Sequence, residues 1–73
     1  MIADVKDLLA ARPFTPFTIY IADGREVRVL SPDHAHIHPT RARVVVYSED
    51  GRTHFFPPLL VSGVTVDSEN GQH

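Results

Sequence analysis

Apolar and polar residues alternate along much of this chain, and two Asp-Gly pairs interrupt the alternation. Residues 17–21 and 26–29 change between apolar and polar at each position, which is the period of a half-buried β-strand. The first Asp-Gly pair, at 23–24, lies between these stretches, and the second lies at 50–51. Glycine tolerates the positive φ of a two-residue hairpin turn, and aspartate does so better than most residues. The pattern therefore predicts antiparallel hairpins.

The first dozen residues follow a helical period instead. Val5, Leu8 and Leu9 are spaced as i, i+3 and i+4, which gives one narrow apolar stripe on a helix of about two turns. Asp4 is a suitable N-cap. Pro13 ends the helix, because proline disfavours helical angles in the residue before it.

Further segments also have the pattern of strands. Residues 34–38 extend the second strand after a bend at 31–32, and 42–47 form a third strand that is largely apolar on both faces. Residues 53–56 form the fourth predicted strand, which ends at two prolines. Residues 64–66 form the fifth. The predicted fold is mainly β: a short N-terminal α-helix followed by a five-stranded, strongly bent antiparallel sheet or small barrel.

A chain of 73 residues makes one small domain, predicted here as residues 1–67 with a polar, flexible tail at 68–73. A domain of this size buries only about 60% of its unfolded surface, so it commonly needs a disulfide, a metal or self-association. Cysteine is absent, which excludes disulfides and agrees with a reducing compartment. Metal binding and self-association remain as stabilisers.

Charge and motifs narrow the classes of function. The formal net charge is -2, which gives no general attraction to nucleic acid. The N-terminus lacks a secretory signal and no apolar stretch reaches membrane-spanning length, so we expect a cytoplasmic protein without a membrane partner. The serines and glycines are isolated and form no catalytic or phosphate-binding motif. The sequence predicts a protein that acts by binding, without enzymatic activity and without a cofactor.

One stretch carries a resemblance to known proteins. Residues 8–17, LLAARPFTPF, followed by the Asp-Gly pair at 23–24 and a valine-rich hairpin, resemble a group of short uncharacterised bacterial proteins with a Pro-Phe-x-Pro-Phe stretch. The order of elements also resembles the Sm-like fold, in which a short helix caps a five-stranded, SH3-like barrel. That resemblance implies rings built by pairing the fourth strand of one subunit with the fifth of the next, here 53–56 with 64–66. It also implies binding of single-stranded RNA.

The two motifs that bind RNA in Sm-like proteins differ in this chain. The first has an Asp, an apolar residue and an Asn, whereas Asp33 here leads into His34 and no asparagine follows. The second has Arg-Gly near the start of the last strand, where this chain has Ser62-Gly63. The resemblance therefore implies the barrel and the ring more directly than the RNA contacts.

Three histidines at alternate positions are the candidate metal ligands. On a strand, a spacing of two places His34, His36 and His38 on one face, and neutral imidazole binds zinc, copper or nickel. The same pattern is also typical of an ordinary solvent-facing strand. In a ring, these histidines could instead line a pore or respond to pH.

Arg41, Arg43 and Arg28 are the candidate nucleic-acid contacts. Positive side chains near aromatic rings, such as those of Tyr20 and Tyr47, bind single strands through backbone attraction and base stacking. The alternative is that these arginines solubilise the outer strand faces and pair with neighbouring carboxylates.

Apolar residues in the later strands form the candidate subunit interface, because exposed strand edges readily pair with another chain. Alternation buries only one of the two adjacent phenylalanines in 53–56. The candidate interface residues are Phe55, Phe56, Val64, Val66, Val45 and Tyr47.

Three hypotheses about function follow from these observations. The first is a small bacterial binding or scaffold module that self-associates through sheet edges, with a second copy or another protein as its partner. The second is an Sm-like ring that binds single-stranded RNA or another anionic ligand. The third is a metal site on the histidine row.

Overall fold

A computed structural model describes residues 2–39 and 43–67 of the chain. In this part the fold is mainly β, with one short N-terminal α-helix and two short 3₁₀-helices. The predicted tail at 68–73 and the first residue of the predicted strand 42–47 lie outside the described residues. The elements are α1 (Ile2–Ala10), β1 (Phe17–Ile21), β2 (Glu26–Val29), a 3₁₀-helix (Pro32–His34), β3 (Ala35–His38), β4 (Arg43–Tyr47), β5 (Thr53–Phe56), a second 3₁₀-helix (Pro58–Leu60) and β6 (Val61–Val66).

The described strands form two antiparallel sheets of three. The first sheet has the order β2-β1-β6 and the second has the order β3-β4-β5. The prediction of a mainly β fold with a short N-terminal helix is confirmed. The prediction of one five-stranded sheet is wrong, because the structure has six strands in two sheets that do not close into one.

The extra strand arises where the second predicted strand breaks. Pro32 has no N–H to give to a ladder, and the Ser31 side chain accepts a hydrogen bond from the Asp33 N–H at 3.2 Å, which turns the chain into the 3₁₀-helix. After this helix the chain continues as β3, which pairs with β4 and not with β1. The interruption therefore moves Ala35–His38 into the other sheet.

Both Asp-Gly turns have the same geometry, and each is one residue longer than predicted. In the first, the Ile21 N–H donates to the Arg25 carbonyl at 2.9 Å, and the Gly24 N–H donates to the Ile21 carbonyl at 2.9 Å. Ser48, Gly51 and Arg52 repeat this arrangement in the second turn. Gly24 has φ +100° and Gly51 has φ +86°, as expected for the glycine of a three-residue hairpin loop.

The inner faces of the two sheets pack together to form the core. Because side chains alternate along a strand, every second residue lies on this inner face, and most of these residues are valine, isoleucine or phenylalanine. The helix closes part of the core with Val5, which is fully buried. The buried apolar residues are Val5, Phe17, Ile19, Ile21, Val27, Val29, Ala35, Val44, Val46, Phe56 and Val61.

Helix α1 runs from Ile2 to Ala10, so Asp4 lies within its first turn and not at the N-cap. At the other end, the Arg12 guanidinium donates hydrogen bonds to the carbonyls of Leu9 at 3.0 Å and Ala11 at 2.7 Å. These bonds satisfy carbonyls that the end of a helix leaves without intrahelical donors. Among the described residues, no helix has the length and apolar character needed to cross a membrane.

Candidate functional site

The outer face of the second sheet is the first candidate surface. In register, His36 lies opposite Val45 and Val45 lies opposite Phe55, so one row crosses all three strands on the side away from the core. We call this surface the aromatic face. Its residues are His36, His38, Arg43, Val45, Tyr47, Thr53 and Phe55.

Three aromatic rings on this face surround Val45. The His36 and Tyr47 rings meet edge to face, with centroids 5.9 Å apart and an interplanar angle of 77°. Tyr47 is 46% exposed and Phe55 is 55% exposed, which is high for side chains that usually supply much of a domain's buried apolar area. These rings are therefore accessible to a partner.

The aromatic face differs in charge from the rest of the molecule. None of the three strands that form it contains Asp or Glu, although the whole chain has an excess of acidic over basic residues. Arg43 lies opposite His38 at one end of the face. Within residues 2–39 and 43–67, the ion pairs engage other arginines and Arg43 is in none of them. The face therefore favours an anionic partner.

A groove between α1 and β6 is the second candidate surface. It has a volume of about 490 Å³. Val66 lies opposite the fully buried Phe17 in the β1–β6 ladder, yet it is 50% exposed because β6 is the edge strand. We call this surface the β6 groove. Its lining residues are Asp4, Asp7, Leu8, Gly63, Val64 and Val66.

A third surface, a cleft of about 300 Å³, lies between the two hairpin turns. Arg25 lines this cleft, and its side chain links the first hairpin to β5 of the other sheet. Its guanidinium is 2.9 Å from the Asp23 carboxylate, 3.4 Å from His54 Nδ1 and 3.4 Å from the Phe55 carbonyl oxygen, and it lies 5.8 Å from the centroid of the Phe56 ring. Because these contacts are internal, the cleft is a structural junction with mixed charge.

The turn aspartates have lowered pKa values, because both accept hydrogen bonds. The backbone N–H of Arg25 lowers the pKa of Asp23, and the Arg25 guanidinium acts in the same direction. The Ser48 hydroxyl lowers the pKa of Asp50, together with the backbone N–H of Arg52. The carboxylate form is therefore part of each turn's hydrogen bonding.

The structure separates the three histidines that the sequence places on one strand face. His36 and His38 lie on β3, but His34 belongs to the 3₁₀-helix before it, and its Nδ1 is buried without a hydrogen-bond partner. Among the described residues, no group of three or more His, Cys, Asp or Glu side chains is placed to hold a metal ion. The shared strand face was the premise of the three-histidine site, and this premise is wrong.

The candidate arginines do not form one surface. Arg43 is on β4, whereas Arg28 is on β2 of the other sheet, where its guanidinium pairs with Asp67. Arg41 lies outside the described residues.

The candidate interface residues fall into three environments. Val45, Tyr47 and Phe55 belong to the aromatic face, and Val64 and Val66 to the β6 groove. Phe56 is 2% exposed and belongs to the core, so its place at a surface interface is corrected. Its side chain alternates with that of Phe55, and the inner face is the buried one.

Sequence reasoning missed two features. The first is the link that Arg25 makes between the sheets, for which the sequence has no signal because the contacting residues are about thirty positions apart. The second is the absence of carboxylates from the second sheet. That signal is present in the sequence, but it becomes visible only when the three strands are grouped.

Comparisons with known proteins agree with the fold and add no function. No protein-family profile matches the chain, and no curated protein matches it. The crystal structure of a structural-genomics target superposes with a TM-score of 0.55 at 19% identity, over 71% of this chain and 89% of that protein. The solution structure of a candidate lipoprotein from Pseudomonas syringae gives a TM-score of 0.54 at 19% identity, over 71% and 91%. At this identity the likeness extends to the fold alone.

Proposed function

We propose that this protein is a small binding module that self-associates through its strand edges, with β5 of one copy beside β6 of the next. The observation that carries the proposal is the half-exposed Val66. It faces the core side of the sheet, opposite the buried Phe17, and nothing in the described chain covers it. A strand added at β6 would continue the sheet and bury this apolar edge.

Two properties make β5 the best partner for β6: it is an edge strand, and it lies beside a positive side chain. It is an edge strand of the second sheet, and Arg52 lies immediately before it with 79% of its side chain exposed. The β6 groove contains the carboxylates of Asp4 and Asp7. A β5 strand that enters this groove therefore brings a cation towards two carboxylates.

The Sm-like resemblance supports the same arrangement. If β2 and β3 are taken as two halves of one bent strand, the order β6-β1-β2 continues into β3-β4-β5, as in a five-stranded Sm-like barrel. The fourth and fifth strands of that barrel then correspond to β5 and β6. On this basis the assembly is a closed ring, for which the resemblance implies five to seven copies.

A second candidate function is the binding of an anionic ligand. The supporting observation is the aromatic face, where the rings of His36, Tyr47 and Phe55 lie on the same side of the sheet as Arg43. The face consists of outward side chains of β3, β4 and β5, whereas strand pairing would use the backbone edge of β5, so one molecule can assemble and bind at the same time.

Native mass spectrometry and light scattering test self-association, with Val66→Lys as the variant. A lysine at this half-exposed edge position leaves the core intact and opposes strand pairing, so we expect an oligomer for the parent chain and a monomer for the variant. Leu59→Lys is the control, because Leu59 is 92% exposed and lies in the 3₁₀-helix outside both strands. A monomeric parent chain at high concentration contradicts the proposal.

A further inference from the structure

We propose that the aromatic face binds single-stranded nucleic acid, with bases stacked on its rings and a phosphate beside Arg43. This proposal rests on the second candidate function, the binding of an anion at the aromatic face, and names the class of that ligand. It does not depend on self-association, because strand pairing uses the backbone edge of β5 whereas the face is formed by outward-facing side chains. The proposed mode of binding uses a sheet face. It does not require the two RNA-binding motifs of Sm-like proteins, which differ in this chain.

The rings are the first step of the argument. Side chains stand roughly perpendicular to a sheet, so the rings of Tyr47 and Phe55 project from the face into solvent. Both are about half exposed, while the apolar Val45, on the same strand as Tyr47 and paired with Phe55, is half-buried. Exposed aromatic rings on a sheet are stacking surfaces for unpaired bases, because each base has a π-face whatever its identity.

The spacing of the rings suits a chain of bases. His36 and Phe55 lie on the two outer strands, on either side of Val45, and Tyr47 lies two residues further along the central strand. Neighbouring strands are about 4.8 Å apart and alternate residues on a strand about 6.7 Å apart. Two or three bases can therefore stack across this face, as on other sheets that bind single strands.

The charges are the second step. Arg43 and His38 face each other at one end of the aromatic face, and the three strands contain no carboxylate. Arginine forms two parallel hydrogen bonds with a phosphate. A positive side chain at the edge of a stacking surface, here that of Arg43, is the arrangement by which proteins follow a nucleic-acid backbone.

Nucleic acid fits these observations better than an acidic protein segment. An acidic segment satisfies Arg43 but offers carboxylates to Tyr47 and Phe55, which gain little from them. A nucleotide supplies both an anion and a flat ring. The aromatic face presents the complement of both groups within one sheet.

Fluorescence polarisation with labelled twelve-nucleotide single strands, oligo-U and oligo-dT, tests the proposal over a range of salt concentrations. We expect binding that weakens as salt rises, because phosphate contacts release counterions. Phe55→Ala and Tyr47→Ala should each weaken binding about 5- to 150-fold, which corresponds to the loss of one stacked base. Arg43→Gln should lower the slope of log Kd against log salt by about 0.7.

Matched controls separate this site from general attraction. Lys6→Gln removes one positive charge from the exposed side of α1, far along the chain from the aromatic face, and Leu59→Ala removes an exposed apolar side chain outside it. Both should leave Kd within twofold of the parent. Amide NMR shifts on adding oligo-U should be confined to β3, β4 and β5, which locates the site even if one variant fails to fold.

Three outcomes overturn the proposal. One is no binding of either oligonucleotide at low salt, and another is an equal loss of affinity in Lys6→Gln and Arg43→Gln. The third is equal affinity for a twelve-residue polyglutamate peptide, which would make the face a site for acidic protein segments. If Val66→Lys is monomeric and still binds oligo-U, self-association and nucleic-acid binding are separate properties.

Discussion

Two adjacent phenylalanines show how a shift of one position along a strand decides the role of a side chain. Phe56 is in the core at 2% exposure, and Phe55 is on the outer face at 55% exposure. Both are at the end of β5, immediately before Pro57. Successive side chains of a strand point to opposite faces, so the same residue type stabilises the fold at one position and is available to a partner at the next.

This difference predicts unequal effects on stability. Phe56→Ala should lower the free energy of unfolding by about 3–5 kcal/mol, because it leaves a cavity in the core. Phe55→Ala should change it by about 0.5 kcal/mol or less, as is usual for surface sites. Urea denaturation of both variants checks the prediction, and a large loss for Phe55→Ala would mean that the outer face contributes to the packing of the monomer.

The turn aspartates predict a dependence of stability on pH. The lowered pKa of Asp50 means that the folded state binds a proton there less readily than the unfolded state. Its contribution is therefore complete above the ordinary value of 3.8 and is lost as pH falls below that value towards the folded pKa. Acid unfolding should include this loss.

Asp50→Asn separates the charge from the turn, because asparagine also tolerates turn conformations. We expect the variant to be less stable than the parent at pH 7, and the difference to shrink as pH falls below 3.8. Urea midpoints measured across this range check the result. Glu49→Gln removes one charge from the same turn without touching the hydrogen bonds of Asp50 with Ser48 and Arg52, so a similar pH profile in this control would contradict the assignment.

At the scale of elements, the two sheets depend on a few connections for their relative placement. One is the short segment with the 3₁₀-helix Pro32–His34, which carries the chain from β2 to β3. Another is Arg25, whose guanidinium reaches from the first hairpin to β5. The Ala22 N–H adds a hydrogen bond to the Leu60 carbonyl at 2.7 Å, so the first hairpin also contacts the second 3₁₀-helix.

Arg25→Met tests the connection between sheets, since methionine keeps an apolar stem and removes the guanidinium. We expect the free energy of unfolding to fall by about 1 kcal/mol, from the lost hydrogen bonds and the contact with the Phe56 ring. Hydrogen exchange at β5 should become faster. Arg52→Met is the control, because Arg52 is 79% exposed and its ion pair with Asp50 is a surface pair of 3.8 Å, which is worth little.

At the scale of the whole molecule, a small core and open edges make stability sensitive to assembly. Both sheets are open at β5 and β6, and apolar surface remains exposed at Val66. Association that buries this surface stabilises the folded state by mass action. We expect Tm to rise by several degrees when the protein concentration rises a hundredfold, and Val66→Lys to abolish the rise. Calorimetry measures Tm in this experiment. A constant Tm for the parent chain would indicate a stable monomer.

Part of the fold and of the candidate site was predictable from local signals. The helix with Val5, the positions of the Asp-Gly turns and most of the strand faces follow from periodicity and turn chemistry, and the structure agrees with them. The division into two sheets did not follow, because it depends on which strand Ala35–His38 pairs with. That choice is a contact between distant segments, and a local pattern contains no information on it.

The candidate sites divide in the same way. Alternation predicted that one of Phe55 and Phe56 is buried but did not decide which, and His34 was placed on a strand that begins only at Ala35. The predictions of a cytoplasmic location, of self-association and of RNA binding remain predictions. They concern partners and compartments, on which the fold of one chain has no direct bearing.

The sequence by itself determined the local conformations, because helical spacing, strand alternation and glycine at positive φ act over a few residues. The tertiary structure alone decided that β3, β4 and β5 form one sheet, that their carboxylate-free outer sides meet in the aromatic face, and that Arg25 lies between the two sheets. These features depend on packing between distant segments, where burial of the shared core selects one arrangement among the several that the same strands could adopt.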